Sequence, residues 1–285
     1  LHLSIRRQRQ MCIRDRNGVA MLLVIDAGNT QMMVGLYGPT AVSEPQTASS
    51  GLLGHWRMAT SPDRTEDEIG LAISGFMGEI GIELENDVTG LAISSGVPSV
   101  TASLRRFAER YLDVSPVILG PGVKSGMPIR YEDPRAVGAD RIANAVAARE
   151  LYGVSGVVVD FGTATTFDVI DSTGAYLGGA ILPGLEISLE ALFGRAALLR
   201  EVDLTEPKGV IGRNTHESIQ SGVIFGTACL VDGMIDRIEE EVGDVTVIAT
   251  GGYAELIAPH ARTVDHHEPW LTLHGLRLVH NKNVL

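Results

Sequence analysis

The stretch Gly156-Val-Val-Val-Asp-Phe-Gly-Thr-Ala-Thr-Thr166 decides the fold. Its β-branched apolar run predicts a buried strand, which ends at Asp160 and turns through Gly162 into a threonine-rich segment. Residues 22–30, Leu-Leu-Val-Ile-Asp-Ala-Gly-Asn-Thr, repeat this plan of strand, aspartate, glycine and threonine. The repetition predicts a chain built from two similar halves.

The shared plan suits phosphate chemistry. An aspartate at the carboxyl end of a buried strand presents a carboxylate that can hold a divalent cation or its waters. A glycine two residues later lets the backbone bend sharply and lets an anion approach its N–H groups. Apolar residues 32–37 and 167–170 predict return strands, so each turn is expected at a hairpin tip. Two ordinary hairpins, each satisfied by its own Asp and Thr, are the alternative; the duplication favours a pair of phosphate-binding turns.

Composition narrows the class of protein. The 285 residues suffice for one large or two medium domains. The net charge of −12 argues against nucleic acid as a principal partner. The two cysteines, Cys12 and Cys229, have no paired spacing, which favours a reducing, cytoplasmic compartment. No apolar run reaches the roughly 18 residues of a membrane span, so no membrane partner is expected.

The first 20 residues differ in composition from the rest. They are rich in arginine and lack the apolar centre of a signal peptide, although a transit peptide fits the same composition. We expect translation to begin at Met21 and exclude residues 1–20 from the fold. The expected domains are an N-terminal lobe, residues 21–137, and a C-terminal lobe, residues 138–285.

Alternating strands and helices predict an α/β fold with ligands at the carboxyl ends of the strands. Thr65 and Glu68 form a capping-box pattern that predicts the start of a helix. The remaining expected elements are strands at 91–95, 116–119 and 245–250, and helices near 100–111, 139–152, 185–199 and 217–241.

Asp140 is the candidate catalytic carboxylate. It lies in the first turn of a predicted alanine-rich helix. A purely structural role is the alternative, in which Asp140 only complements the helix dipole and Arg141 forms a surface ion pair. The standard P-loop pattern is absent, and Gly120–Gly126 misses the dinucleotide pattern, so we interpret that segment as a loop.

Several motifs, in this order and spacing, resemble those of type III pantothenate kinase. They are Asp26–Thr30, Tyr131 with Gly138–Arg141, Asp160–Thr166, Gly178–Gly184 and Ile211–Thr215. The likeness covers residues 21–283. It implies an actin-like kinase fold, in which two ribonuclease-H-like lobes have a nucleotide cleft between them. It also implies transfer of the ATP γ-phosphoryl group to the primary hydroxyl of pantothenate, the first step towards coenzyme A.

The resemblance further implies roles for individual residues. Asp140 is expected to be the general base, Asp160 to bind potassium or ammonium, and magnesium to lie near Asp26, through water. The expected ATP-binding residues are Asp26, Ala27, Gly28, Asn29, Thr30, Gln31, Met32, Met33 and Thr163. The expected pantothenate-binding residues are Tyr131, Gly138, Ala139, Asp140, Arg141 and Thr215. Family members are usually homodimers.

One departure from the family pattern concerns Met32 and Met33, which stand where small or hydroxylated residues are common. Backbone N–H groups are therefore the expected phosphate donors there. Two other functions keep the same fold. One is a kinase for a different small hydroxyl acceptor, and the other is a nucleotide-binding regulator without turnover.

Overall fold

The computed structural model describes residues 20–39, 47–195 and 202–284. Its strands are β1 Met21–Ala27, β2 Gln31–Tyr37, β3 Leu52–Ala59, β4 Val88–Ser95, β5 Val117–Ile118, β6 Gly156–Phe161, β7 Ala164–Ile170, β8 Tyr176–Pro183, β9 Thr246–Thr250 and β10 His266–His267. Its α-helices are α1 Glu66–Glu79, α2 Leu84–Asp87, α3 Pro98–Phe107, α4 Ala139–Tyr152, α5 Leu185–Arg195, α6 Thr215–Val242, α7 Ala254–Ile257 and α8 Leu271–Val284.

The described residues form two compact units. Unit 1 comprises residues up to 125 together with 138–143 and 272–284, and unit 2 comprises 126–137 and 144–271. The predicted lobes differ from these units in the assignment of three segments: 126–137, 138–143 and residues 272–284 of the C-terminal helix α8. The predicted prefix 1–20 lies, apart from Ala20, outside the described residues.

Unit 1 is built on a five-stranded sheet in the order β3-β2-β1-β4-β5. β1 pairs antiparallel with β2 and parallel with β4. One face of this sheet packs against α1 and α3, and the residues at the centre of that core are fully buried: Leu23, Ile25, Val34, Ile73, Ile93 and Leu104. The central strands β1 and β4 are buried over most of their length, and their packing against helices accounts for the fold of this unit.

The predicted capping box starts α1. The backbone N–H of Thr65 donates to Oε2 of Glu68 at 2.8 Å, and the backbone N–H of Glu68 donates to Oγ1 of Thr65 at 3.3 Å. Two N–H groups that have no partner within the helix are thereby satisfied, which confirms the prediction.

Unit 2 repeats the topology of unit 1. Its sheet has the order β10-β9-β6-β7-β8, in which β6 pairs antiparallel with β7 and parallel with β9. The strand that carries the motif thus has the same neighbours in both sheets. The duplication predicted from the two Asp-Gly-Thr stretches is confirmed.

The two faces of the second sheet differ in polarity. One face packs against α6 through an apolar core that includes Val157, Val159, Phe167, Ile224 and Val231. The other face carries several polar side chains. They share this face because residues opposite each other across an antiparallel pair point the same way, as do alternate residues of a strand. This face holds Asp160 and its register partner Thr166, Asp168 two residues further on, and Thr250.

Two predictions concern the helices of unit 2. α5 ends at Arg195, and the predicted continuation to 199 lies outside the described residues. The apolar residues around Cys229 in 226–231 predict that it packs within its helix, but Cys229 on α6 is exposed, so that prediction was wrong. By length and composition α6 is apolar enough to span a membrane, but four of its side chains lie in the core against the sheet: Ile224, Ala228, Val231 and Ile235.

Candidate active site

The first predicted phosphate-binding turn joins β1 to β2 in unit 1. The backbone N–H of Gly28 donates to the carbonyl of Gln31 at 3.0 Å, which closes the turn directly after Asp26 and Ala27. The carbonyl of Thr30 accepts from the N–H of Thr60 at 2.9 Å, which ties the end of the turn to β3. The turn lies at a hairpin tip, as the sequence predicted, with residues 28–31 exposed.

The side chains of Met32 and Met33 lie on opposite faces of the sheet, because adjacent residues of a strand alternate in direction. Met32 is 1% exposed and belongs to the core of unit 1, so only its backbone can reach a ligand. Met33 is the register partner of Asp26 and shares its face of the sheet. Met33 is therefore the methionine whose side chain lies beside the aspartate.

The start of α4 carries the candidate base. Asp140 is exposed in the first turn of the helix, where ionised carboxylates are favoured. A Cβ on Gly138 would overlap Oδ1 of Asp140, so a larger residue there would displace this exposed carboxylate. Arg141 is 8% exposed, which excludes the surface ion pair considered as its alternative role. Its guanidinium lies within the protein, one residue after the candidate base.

Asp160, at the end of β6 in unit 2, is held from two sides. The side-chain amide of Asn144 on α4 donates to its Oδ2 at 2.9 Å. Gly251, at a φ of 93°, lies so close that a Cβ there would overlap Oδ1 of Asp160 and the backbone of Phe161. The carboxylate is thus fixed in orientation at the end of its strand.

Asn144 was missed by sequence reasoning. It is fully buried in a helix that is otherwise rich in alanine. Asparagine is unfavourable inside a helix because its amide competes for backbone hydrogen bonds, so a buried one signals a side-chain partner. The sequence shows an asparagine within an alanine-rich helical segment, whereas its burial and its partner Asp160 are seen only in the structure.

The second predicted turn joins β6 to β7. Thr163 is exposed at its tip, and the N–H of Gly162 donates to the carbonyl of Ala164 at 3.1 Å. The N–H of Gly184 donates to the carbonyl of Thr163 at 3.1 Å, and a Cβ on Gly184 would overlap that carbonyl. The segment after β8 therefore supports the turn from behind. The structure brings Thr163 and Asp160 to the same end of β6.

Tyr131 lies against β8 in unit 2. It is 37% exposed, and its ring centroid is 6.4 Å from that of Tyr176 at an interplanar angle of 52°. Gly178 also lies close to the ring of Tyr131, since a Cβ added to Gly178 would be 3.1 Å from the nearest ring atom. The ring is thus packed on one side and open to solvent on the other.

Thr215 is the first residue of α6. The helix is capped by Asn214, whose Oδ1 accepts from the N–H of Glu217 at 2.9 Å. A cavity of about 360 Å³ lies beside this helix start, lined by Leu192, Thr215, Ser218, Ile219, Gly222 and Val223. Apart from the hydroxyls of Thr215 and Ser218, the side chains in its lining are apolar.

Tyr253 was not predicted as a site residue. It follows the turn that contains Gly251, and its hydroxyl donates to Oε1 of Glu186 at 2.5 Å. Burial and this hydrogen bond raise the pKa of Tyr253 to about 12, so the phenol stays protonated at neutral pH. The bond holds the segment after β9 to the first turn of α5.

Comparison with known proteins decides the family. A model of the type III pantothenate kinase family matches residues 22–237. The type III pantothenate kinase of Streptomyces griseus is 48% identical over 272 residues, which cover 93% of this chain and 99% of that protein. That of Moorella thermoacetica is 46% identical over 264 residues, which cover 92% and 100%.

The chain belongs to the type III pantothenate kinase family. Membership confirms the resemblance seen in the sequence and the enzyme class expected from it, a kinase of the transferase class. ATP, the phosphoryl donor that a kinase uses, is thereby supported as the cosubstrate.

Solved structures agree on the fold. The ethanolamine utilization protein EutJ of Carboxydothermus hydrogenoformans superimposes with a TM-score of 0.51 at 15% identity, covering 96% of this chain and 97% of that one. A reductive activator for a corrinoid, iron-sulfur protein gives a TM-score of 0.52 at 14% identity, covering 94% and 62%. These likenesses concern the fold alone, and they support the α/β, actin-like class expected for this pantothenate kinase family member.

Proposed function

We propose that the chain transfers the γ-phosphoryl group of ATP to the primary hydroxyl of pantothenate, the first step of coenzyme A biosynthesis, with Asp140 as the general base. The observation that carries the proposal is the duplicated Asp-Gly-Thr hairpin, found at the end of equivalent strands in two sheets of the same topology. The choice of pantothenate as the acceptor rests on the relatives, which are named type III pantothenate kinases.

Asp140 suits the role of base because it is exposed at a helix start. It accepts the hydroxyl proton of pantothenate as the oxygen forms its bond to the γ-phosphorus, while the bond from that phosphorus to the bridging oxygen breaks and ADP leaves. General bases of this kind contribute roughly 10²–10⁴-fold to rate. Arg141 follows in sequence, and its planar guanidinium suits the pantothenate carboxylate.

The two turns carry the phosphates. Residues 29–31 are exposed, and their backbone N–H groups are the proposed donors of the first turn, since the N–H of Gly28 already donates to the carbonyl of Gln31. Thr163 offers a hydroxyl in the second turn. Phosphoryl transfer depends on positioning and charge neutralisation more than on covalent chemistry, so such turns are suited to it. Tyr131, Gly138, Ala139 and Thr215 complete the proposed acceptor pocket.

The residues present fit two cations. Within residues 20–39, 47–195 and 202–284, there is no cluster of three or more His, Cys, Asp or Glu side chains, so each cation would rely on one carboxylate with water, backbone or phosphate oxygens. Asp26 would hold magnesium through water, and the fixed carboxylate of Asp160 would hold potassium or ammonium. Both ions prefer oxygen ligands, and they would supply positive charge against the phosphates.

The proposal extends to assembly and location. We place the chain in the cytoplasm as a homodimer. Apolar side chains on the surface of unit 2 support an association: Ile181, Ile187, Leu192, Val210 and Ile211. Sedimentation velocity on the full chain tests it, with a species of twice the chain mass expected and a monomer at micromolar concentration contradicting it.

A coupled assay of ADP release tests the reaction. The full chain is supplied with ATP and magnesium, with or without pantothenate, in potassium or in sodium. We expect turnover that requires pantothenate and is faster in potassium, and a loss of about 10²–10⁴-fold in kcat for Asp140→Asn. The matched control is Asp236→Asn, an exposed aspartate on α6 that pairs with Arg262; its kcat should be unchanged.

Other results would redirect the proposal. ADP release with a different hydroxyl acceptor, but not with pantothenate, would indicate another kinase of the same fold. ATP binding without any acceptor-dependent ADP would indicate a nucleotide-binding regulator. Unchanged kcat in Asp140→Asn would remove that residue from the role of base.

A further inference from the structure

A carboxylate that the proposed reaction does not use lies at the centre of unit 2. Asp168 on β7 is completely buried. The hydroxyl of Tyr176 donates to its Oδ1 at 2.7 Å, and the hydroxyl of Thr166 donates to its Oδ2 at 3.0 Å. Burying a carboxylate is costly unless hydrogen bonds replace its hydration, and an apolar residue would fill the same space at lower cost. Its presence therefore points to a task that an apolar residue would not perform.

That task is visible in what Tyr176 holds. Its side chain is fully buried and directed by Asp168, while its backbone binds the segment that carries Tyr131. The N–H of Tyr176 donates to the carbonyl of Pro128 at 2.9 Å, and its carbonyl accepts from the N–H of Arg130 at 2.8 Å. Tyr131 is the next residue along, so its main chain is fixed to the start of β8.

The side chain of Tyr131 is fixed by the same residue. Its ring packs against the ring of Tyr176, with 6.4 Å between centroids. On β8, Gly178 has a φ of 131° and leaves room for the ring, since a Cβ there would lie 3.1 Å from it. Arg130 secures the segment further, because its Nη1 lies 3.0 Å from Oδ2 of Asp171.

We propose that Asp168 and Tyr176 are positioning residues for the acceptor site: they fix the orientation of Tyr131 and thereby set the affinity and selectivity for pantothenate. The inference rests on the proposed function in one respect, the place of Tyr131 in the acceptor pocket. Neither Asp168 nor Tyr176 touches the acceptor in this proposal. Their effect passes through the ring of Tyr131.

The test uses Tyr176→Phe, which removes only the hydroxyl that Asp168 accepts. A hydrogen bond to a charged group is among the stronger ones, so we expect the KM for pantothenate to rise about 5- to 20-fold. The KM for ATP should stay within about twofold, and kcat at saturating pantothenate should fall by less than about threefold, because the phosphate turns and Asp140 are unchanged. A merely structural role would lower the amount of active enzyme without changing either KM.

A double-mutant cycle tests whether Tyr176 affects pantothenate binding through Tyr131. If Tyr176 acts through Tyr131, then Tyr176→Phe should add little to the KM of a Tyr131→Ala enzyme, whereas independent effects would multiply. Gly178→Ala provides a second variant that leaves Asp168 and its donors intact, and it should also raise the KM for pantothenate alone. The matched control is Asp232→Asn, which alters an aspartate that binds Thr263 away from Tyr131; neither KM should change.

Hydrogen exchange separates this inference from the proposed function. Without substrate, amides of residues 126–137 should exchange faster in Tyr176→Phe than in the unaltered chain, whatever the acceptor is. Unchanged exchange together with an unchanged KM for pantothenate would overturn the inference while leaving the kinase activity intact. Absence of pantothenate turnover in the unaltered chain would instead overturn the proposed function.

Discussion

The side-chain amide of Asn144 donates a hydrogen bond of 2.9 Å to Oδ2 of Asp160. The bond joins a fully buried asparagine to the carboxylate at the end of β6. It fixes one oxygen of Asp160 within the protein. The orientation of this carboxylate is therefore set by a residue on a different element.

Asn144→Ala is expected to release Asp160. Loss of a hydrogen bond to a carboxylate should lower the free energy of unfolding by about 1.5–3 kcal/mol. If Asp160 holds the monovalent cation, the potassium concentration for half-maximal activity should also rise. Urea unfolding and a potassium titration measure the two effects. The control is Asn86→Ala, which removes an exposed amide–carboxylate bond to Glu83 and should change stability by less than about 1 kcal/mol.

Gly251→Ala should be far more damaging than Gly252→Ala. At Gly251, φ is 93° and an added Cβ would overlap both Asp160 and Phe161, whereas a Cβ at Gly252 meets nothing within 4 Å. We expect Gly251→Ala to lower the free energy of unfolding by at least about 2 kcal/mol and to reduce kcat, since the carboxylate must move. Equal melting temperatures for the two variants, measured by calorimetry, would contradict this account.

His274 on α8 should make stability depend on pH. It is 1% exposed, and burial, with a smaller effect of Arg277, lowers its pKa from 6.5 to about 4. The folded state therefore favours the neutral ring. This contribution is complete above about pH 6.5 and is lost as the pH falls towards 4. We expect the His274 contribution to the free energy of unfolding to fall by about 2 kcal/mol between pH 7 and pH 5.

His274→Leu provides the comparison for that pH dependence. Urea unfolding at pH 7 and pH 5 should show a smaller loss of stability in the variant, because the ring that must stay neutral is gone. An identical loss in both proteins would assign the pH dependence to other groups.

The capping box at α1 should contribute measurably to stability. Thr65→Ala removes the side-chain acceptor for the N–H of Glu68 and should lower the free energy of unfolding by about 1 kcal/mol. Glu68→Gln keeps an acceptor for the N–H of Thr65 and should change it by less than half as much. Chemical denaturation of both variants distinguishes them, and the reverse order of stability would be the contrary result.

Much of the fold could be predicted from the sequence because its signals are local. Apolar runs ending in Asp-x-Gly gave the equivalent strands β1 and β6, and Thr65 with Glu68 gave the start of α1. The assignment of α8 to unit 1 could not be predicted in this way, because it depends on close packing between residues that are far apart in the sequence. A Cβ on Gly275 of α8 would overlap the carbonyl of Ala143, and no local pattern records that approach.

The candidate site was predictable in part for the same reason. Asp26, Asp140 and Asp160 stand at the ends of elements, where their chemistry shows in the sequence. Asn144 binds Asp160 on β6, and Asp168 binds Tyr176 on β8, so the partners of both lie on other elements and only the packing of α4 and of β8 reveals them. Supporting residues of this kind need tertiary structure to be found.

The placement of Met33 opposite Asp26 gives the protein a built-in spectroscopic reporter. The chain has eight methionines, and a ¹³C label on their methyl groups would give a small, resolvable set of NMR signals. Met33 shares the face of Asp26, whereas its neighbour Met32 is enclosed in the core. The pair therefore forms an internal probe and reference: a nucleotide at the first turn would shift the Met33 resonance more than that of Met32, without any engineered label.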